Sequence, residues 1–130
     1  AVYIDQSGSV GNNDLELAFA NLRNLAKRTE FTTFHFDTAV DEDSETPWKR
    51  GRAPEVHRTR CGGTDFECVT KHANKNSNRF DGYIIITDGE AAKPSPSRLK
   101  RGWLIVPNRK LLFNADNRDF VMTMKANGDS

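Results

Sequence analysis

The sequence predicts a three-layer α/β/α domain, an open and mostly parallel sheet of about six strands with helices on both faces. Three observations carry this expectation. Val2-Tyr3-Ile4, Tyr83-Ile84-Ile85-Ile86 and Leu104-Ile105-Val106 are short runs that are apolar at every position. Such runs suit strands buried on both faces. Segments with helical spacing lie between strand segments, and polar loops rich in glycine follow the strands.

Each element follows from local pattern. After Val2–Ile4 comes a Ser/Gly loop, 6–11, and Asn13 is positioned as an N-cap with Glu16 in capping-box position. Leu15, Phe19, Leu22 and Leu25–Ala26 repeat at helical spacing, predicting a helix from about Asp14 to Arg28. The alternating, β-branched and aromatic segment Phe31–Phe36 predicts a strand. Asp41, Glu42, Asp43, Ser44 and Glu45 read as a solvated hairpin tip, with an edge ribbon from Trp48 onward and Pro47 and Pro54 at its margins. A second Gly-rich loop, Arg60-Cys61-Gly62-Gly63-Thr64, precedes a short helix from about Phe66 to Lys75, with Phe66, Val69 and Ala73 inward. The segment Phe120–Met124 reads as a last, edge strand.

At 130 residues the chain is one domain, 1–130, with material for a single core. It opens directly on a core strand without an initiator Met, which reads as a domain excised from a longer protein. A net charge of +1 gives no global argument for nucleic acid or membrane. No run approaches the roughly 18 apolar residues of a membrane helix. Cys61 and Cys68 do not make a disulfide framework, which favours a cytoplasmic setting.

In open α/β sheets, ligand sites form beyond the carboxyl ends of the strands. Asp5-Gln6-Ser7-Gly8-Ser9, Gly62-Gly63-Thr64-Asp65 and Thr87-Asp88-Gly89 all fall there. Their side-chain donors are oxygens, without His or Cys, and this selects a hard cation: Mg²⁺, with Mn²⁺ or Ca²⁺ as alternatives. A site with few direct protein ligands and little formal charge leaves a coordination position for an external carboxylate. Asp5, Ser7, Ser9, Thr64 and Asp88 are the metal candidates.

Asp5-x-Ser7-x-Ser9, then Thr64, then Asp88 resembles the metal-ion-dependent adhesion site of von Willebrand factor A (VWA) domains. The order of strands and helices fits as well, over nearly the whole chain. Gly62-Gly63-Thr64-Asp65-Phe66 and Ile86-Thr87-Asp88-Gly89 are most similar to the bacterial VWA-like domain that follows a predicted metallopeptidase region. The resemblance implies a Rossmann-like VWA fold and an intact site. It implies that Ser7 and Ser9 bind metal through Oγ, that Thr64 joins them in the ligand-bound form, and that Asp5 and Asp88 act largely through waters. It further implies a partner protein that supplies Asp or Glu, with an AAA-type ATPase system as the setting. The chain is shorter than most VWA domains and lacks the HExxH motif of a peptidase.

Gln6, Asp65, Arg58, Arg60 and Glu90 are candidates for a partner-binding rim. Asp65 also reads simply as a helix N-cap. Lys49, Arg50, Arg52, Arg58 and Arg60 form a basic stretch opposed only by Glu55, readable as a solvated edge or as a positive rim that steers an acidic partner. Only Trp48 interleaves it, which does not favour nucleic acid. His35 reads as a strand-face histidine, His57 and His72 as solvent-facing, Cys61 as a small buried residue and Trp103 as core.

The alternative is a Mg²⁺-dependent phosphatase of haloacid dehalogenase type, whose layout Asp5 and Asp88 mimic. That chemistry needs a carboxylate as general acid where this chain has Ser7, and a hydroxyl cannot serve that role near neutral pH. Gly8-Ser9-Val10-Gly11 has the wrong spacing for a hydrolase elbow, and there is no Walker A loop. The reading is therefore a non-enzymatic, metal-dependent protein-interaction module.

Overall fold

Eight elements follow one another in the computed structural model, which describes residues 1–51, 54 and 62–125. They are β1 (Val2–Asp5), α1 (Asn12–Leu25), β2 (Phe31–Phe36), β3 (Val40–Trp48), α2 (Phe66–Lys75), β4 (Gly82–Thr87), β5 (Lys100–Ile105) and β6 (Phe120–Thr123). The strands form one sheet in the order β3-β2-β1-β4-β5-β6. Every pairing is parallel except the β2–β3 hairpin. The expected six-stranded, mostly parallel α/β sheet is thus the observed one.

The two helices lie on opposite faces. Leu15, Ala18, Phe19 and Leu22 of α1 pack with Val2, Ile4 and Ile86 on one side. Phe66, Val69 and Ala73 of α2 pack with Tyr3, Ile85, Trp103 and Ile105 on the other. Strand alternation produces this division, because neighbouring residues of β1 and β4 point to different layers. The uninterrupted apolar run is the sequence mark of a strand covered twice. Under α2 the core is strongly aromatic: Tyr3 stacks on Phe34 at 5.2 Å, and Phe66 meets Trp103 edge-on at 4.9 Å.

The hairpin is where local pattern misleads. Residues Asp41–Glu45 are not a solvated tip but belong to β3, and the turn sits at Asp37–Ala39. Asp37 makes that turn by accepting hydrogen bonds from the backbone N–H of Thr38 (2.7 Å) and Ala39 (3.4 Å). An edge strand tolerates this acidic run, and such charge also discourages pairing with another sheet. Trp48 ends β3 instead of opening a ribbon. It is fully buried, stacks on Phe31 and donates its indole N–H to Thr33 Oγ1 at 2.9 Å.

Helix α1 also begins earlier than the capping box implied, at Asn12. Gly11 is the N-cap, with no side-chain hydrogen bond there, and its carbonyl accepts from Leu15 N at 3.0 Å. The loop closes through Val10 N and Ser7 O (3.1 Å), which delivers the chain to the helix before Asn13 is reached. The helix ends at Leu25, so 26–28 form turns beyond it. In α2, by contrast, the expected inward residues are the buried ones, and Asp65 caps the helix by accepting from Glu67 N at 2.9 Å.

Two polar side chains are covered where local pattern predicts exposure or nothing at all. His72 is packed against Phe34 rather than solvent-facing, shares a 2.7 Å hydrogen bond with Tyr3 Oη, and places Nε2 2.9 Å from Glu42. Arg101, only 1% exposed, binds Asp119 (2.7 Å), Asp116 (3.1 Å), Thr70 Oγ1 (3.0 Å) and Ser95 O (2.8 Å). It ties β5 to α2 and to the segment leading into β6. His35 and Trp103 are both buried, as expected of them. Arg52, His57, Arg58, Arg60 and Cys61 lie outside the described residues.

Breaking the Arg101 network leaves Asp119, with a side chain 4% exposed, without its cation. Arg101→Leu is expected to cost about 3–5 kcal/mol in urea denaturation, against under about 1 kcal/mol for Lys49→Ala at the exposed Lys49–Glu30 pair. Burial holds His72 below the ordinary value of 6.5, against the opposing pull of Glu42, and burial lowers His35 too. For a depressed imidazole the unfolded chain takes up the proton first, so stability is lost as pH falls through and below 6.5. Thermal melting at about pH 7.5 and about pH 5.5 should show this loss, and His72→Gln should reduce it.

Candidate functional site

The sheet order places a topological switch at β1. The chain leaves β1 to reach β2 on one side, while β4 flanks it on the other. The loops that follow β1 and β4 therefore diverge, opening a crevice at the carboxyl ends of the strands. Asp5 closes β1, and Asp88 follows β4 immediately.

Asp5 is fully buried and held on both oxygens. Oδ1 accepts from Ser7 N at 2.8 Å, and Oδ2 accepts from Thr87 Oγ1 at 2.5 Å. The second bond crosses from β1 to β4 and fixes the two strand ends relative to one another. Burial raises the affinity of this carboxyl for a proton. The hydrogen bonds from Ser7 and Thr87 oppose that shift, and the charge of Asp88 adds to it.

Ser7 and Ser9 follow on the same loop with their hydroxyl oxygens 3.1 Å apart, Ser7 buried and Ser9 exposed. The second predicted cluster arrives through backbone: Gly8 N donates to Gly62 O at 3.0 Å, and Asp65 N donates to Asp37 O at 2.8 Å. A Cβ on Gly62 would stand 2.7 Å from Asp37 Oδ2, so a side chain here would push that carboxylate aside. Thr64 lies between those two anchors and is half-exposed.

Asp88 is 1% exposed, and its Oδ1 accepts from Glu90 N at 3.1 Å. Its Oδ2 is buried with no hydrogen-bond partner among the described residues. A buried carboxylate oxygen left unmatched is costly, and such an atom marks a place where something else supplies positive charge or a donor. Asp5 lies near enough for the charge of Asp88 to act on it, and Ser7 and Ser9 follow Asp5 on the first loop. Among the described residues no group of three or more His, Cys, Asp or Glu side chains is placed to hold a metal ion, so hydroxyl oxygens would have to complete any set built on these two carboxylates. Asp5, Ser7, Ser9, Thr64 and Asp88 are the residues that could hold a hard cation.

The rim candidates separate. Gln6 is buried and structural, with its N–H donated to Phe36 O at 2.7 Å, so it is not a rim residue. Asp65 is the α2 cap, exposed at the edge of the second loop. Glu90 is exposed and paired with Arg109. Arg58 and Arg60 are outside the described residues. Two further residues belong at this end of the sheet and were not singled out. Asp37, buried, follows β2 immediately as Asp88 follows β4, and Arg109 stands on the loop after β5. The rule that pointed to the other loops, polar residues just after a strand, would have found both.

A family model described as VWA-like domain (DUF2201) matches residues 1–112. No curated protein matches the sequence. Among solved structures, an aerotolerance-related membrane protein from Bacteroides fragilis NCTC 9343, with multiple mutations to serines, superposes with a TM-score of 0.65 at 12% identity, covering 95% of this chain and 90% of that one. The ArnB paralog VWA2 from Sulfolobus acidocaldarius gives 0.63 at 15% identity, covering 95% of this chain and 40% of that one. At these identities the two structures speak to the fold alone.

With Asp5 carrying a desolvated charge, Asp5→Asn is expected to raise the melting temperature in EDTA at neutral pH. The sign follows from a carboxyl raised above 3.8 in the fold, whose ionisation removes stability as pH rises through its folded value. Circular dichroism melts of both forms between about pH 4 and about pH 7 check it, the variant showing the flatter profile.

Proposed function

We propose that this chain, which belongs to the VWA-like domain family (DUF2201), is a metal-dependent protein-interaction module. In this reading Ser7, Ser9 and Thr64 hold a divalent cation directly, with Asp5 and Asp88 acting largely through waters. The observation that carries it is the buried, unpartnered Oδ2 of Asp88, at the strand-end crevice that also holds Asp5 and the paired hydroxyls of Ser7 and Ser9. The residues fit the group: oxygen donors, two carboxylates, and main chain brought close at Gly8 and Gly62. Mg²⁺ suits such a set, with Mn²⁺ or Ca²⁺ as alternatives. Bound there, the ion supplies an electrophilic position for a carboxylate from a partner protein.

The chain's own residues favour binding over turnover. Asp5, the nucleophile of a haloacid-dehalogenase-like reaction, is buried with both oxygens engaged, and Ser7 stands where that reaction needs an acid. The module is therefore read as non-enzymatic and cytoplasmic, with a component of an AAA-type ATPase system as the partner class. No helix among the described residues is long and apolar enough to cross a membrane.

Magnesium at millimolar concentration should raise the melting temperature of the wild-type domain and restore it to baseline on chelation. Ser9→Ala should abolish most of that shift while folding normally in EDTA. Capture of a partner from cell extract should vanish in EDTA and in the same variant. A shift or capture that survives Ser9→Ala and Asp88→Asn together would sink the metal reading.

A further inference from the structure

The loop after β5 is fastened to the candidate site through main chain. Val106 N donates to Thr87 O at 3.0 Å, and Leu112 N donates to Gly89 O at 3.3 Å. Gly89 has φ +82, and a Cβ on it would stand 2.5 Å from Lys110 O and 2.9 Å from Leu111 Cα. The backbone of 110–111 therefore lies directly on the turn that carries Asp88, and only glycine permits that approach. Asn108, with φ 65, bends the loop just before Arg109.

This geometry brings one cation to the rim of the site. Glu90 N is bonded to Asp88 Oδ1, and Glu90 Oε1 accepts from Arg109 Nη1. The guanidinium is thus one side chain removed from the buried carboxylate. The Arg109–Glu90 pair is open to solvent, with side chains 43% and 42% exposed. Glu90 engages a single N–H, leaving most of the guanidinium fork for a second acceptor. Exposed pairs of this kind exchange at little cost. Lys110 beside it is exposed and has no carboxylate partner among the described residues, a second cation next to Arg109.

We propose that Arg109 is a second anchoring point, selecting a partner segment that carries two neighbouring carboxylates, one for the metal position and one for the guanidinium. This rests on the metal reading above. Glu90 then acts as the internal occupant of Arg109, displaced when such a segment docks. The chemistry defines the partner as an acidic peptide segment, because a lone carboxylate satisfies the ion but leaves Arg109 with Glu90. Arginine suits this task better than lysine, since its planar fork matches a carboxylate with two parallel bonds.

The test uses blocked pentapeptides in Mg²⁺, one with a single central aspartate and others with glutamate added two residues before or after it. Binding is followed by amide chemical-shift titration. The wild-type domain should bind a two-carboxylate peptide roughly two- to five-fold more tightly than the single-carboxylate one, the range of an exposed ion pair. In Arg109→Gln that ratio should collapse to about one, in Arg109→Lys it should be intermediate, and in Glu90→Gln it should grow. Equal binding of all peptides by the wild type, or a ratio that persists in Arg109→Gln, overturns the proposal alone. Absence of any EDTA-sensitive binding by the single-carboxylate peptide overturns the metal reading, and this proposal with it.

Discussion

The bond from Thr87 Oγ1 to Asp5 Oδ2 joins residues 82 apart in sequence across the central strand pair, and the geometry of the crevice depends on it. Without it, the loops after β1 and β4 would have only sheet hydrogen bonds to set their relation. With it, a fully buried carboxylate is fixed at the switch point of the sheet, and the first loop folds back on it through Ser7 N. The bond satisfies Asp5 at both oxygens, which passes the unmet demand to Asp88. One carboxylate is structural and closed; its neighbour keeps a buried oxygen without a partner.

The rest of the molecule supports that corner from both sides. One helix covers each face, and the aromatic layer beneath α2 runs from Phe34 through Tyr3 to Trp103 and Phe113. Arg101 inserts a charge into this layer and is answered on every side by Asp119, Asp116, Thr70 and Ser95. A network so fully paired fixes the segment before β6 more tightly than apolar packing alone would, because any shift strands a buried charge. The two sheet edges differ in kind. β3 carries Asp41, Glu42, Asp43 and Glu45, whereas β6 presents Phe120, Val121 and Met122 partly to solvent.

How much of this could be seen in the chain itself depends on whether burial and chemistry agree locally. Asp5 and Asp88 were legible because each ends a run of apolar residues, and a carboxylate following such a run sits at a strand mouth. The inward face of α2 was legible for the same reason of spacing. Strand β3 was not, because its acidic residues are those of a solvated turn, and only pairing with β2 makes them a strand. Arg101 and His72 were hidden by type: arginine and histidine are rarely buried, and their partners come from distant elements. The meeting of the first and second loops rests on one backbone bond, Gly8 N to Gly62 O, which no side-chain pattern announces. Arg109 was hidden because its carboxylate partner, Glu90, comes from a different loop.

The central position of β1 has a consequence for how the domain is made. Val2 pairs with Ile84 and Ile4 with Ile86, so β1 waits for the synthesis of β4 before its edge on that side is satisfied. At synthesis rates of about 5–20 residues per second, that wait is on the order of 4–16 seconds. During it, β1 can pair with β2, but the mouth between Asp5 and Asp88 does not exist. The meeting of these two carboxylates therefore comes late in folding, and a nascent chain in which Asp5 and Asp88 share one mouth has already placed its two central strands side by side.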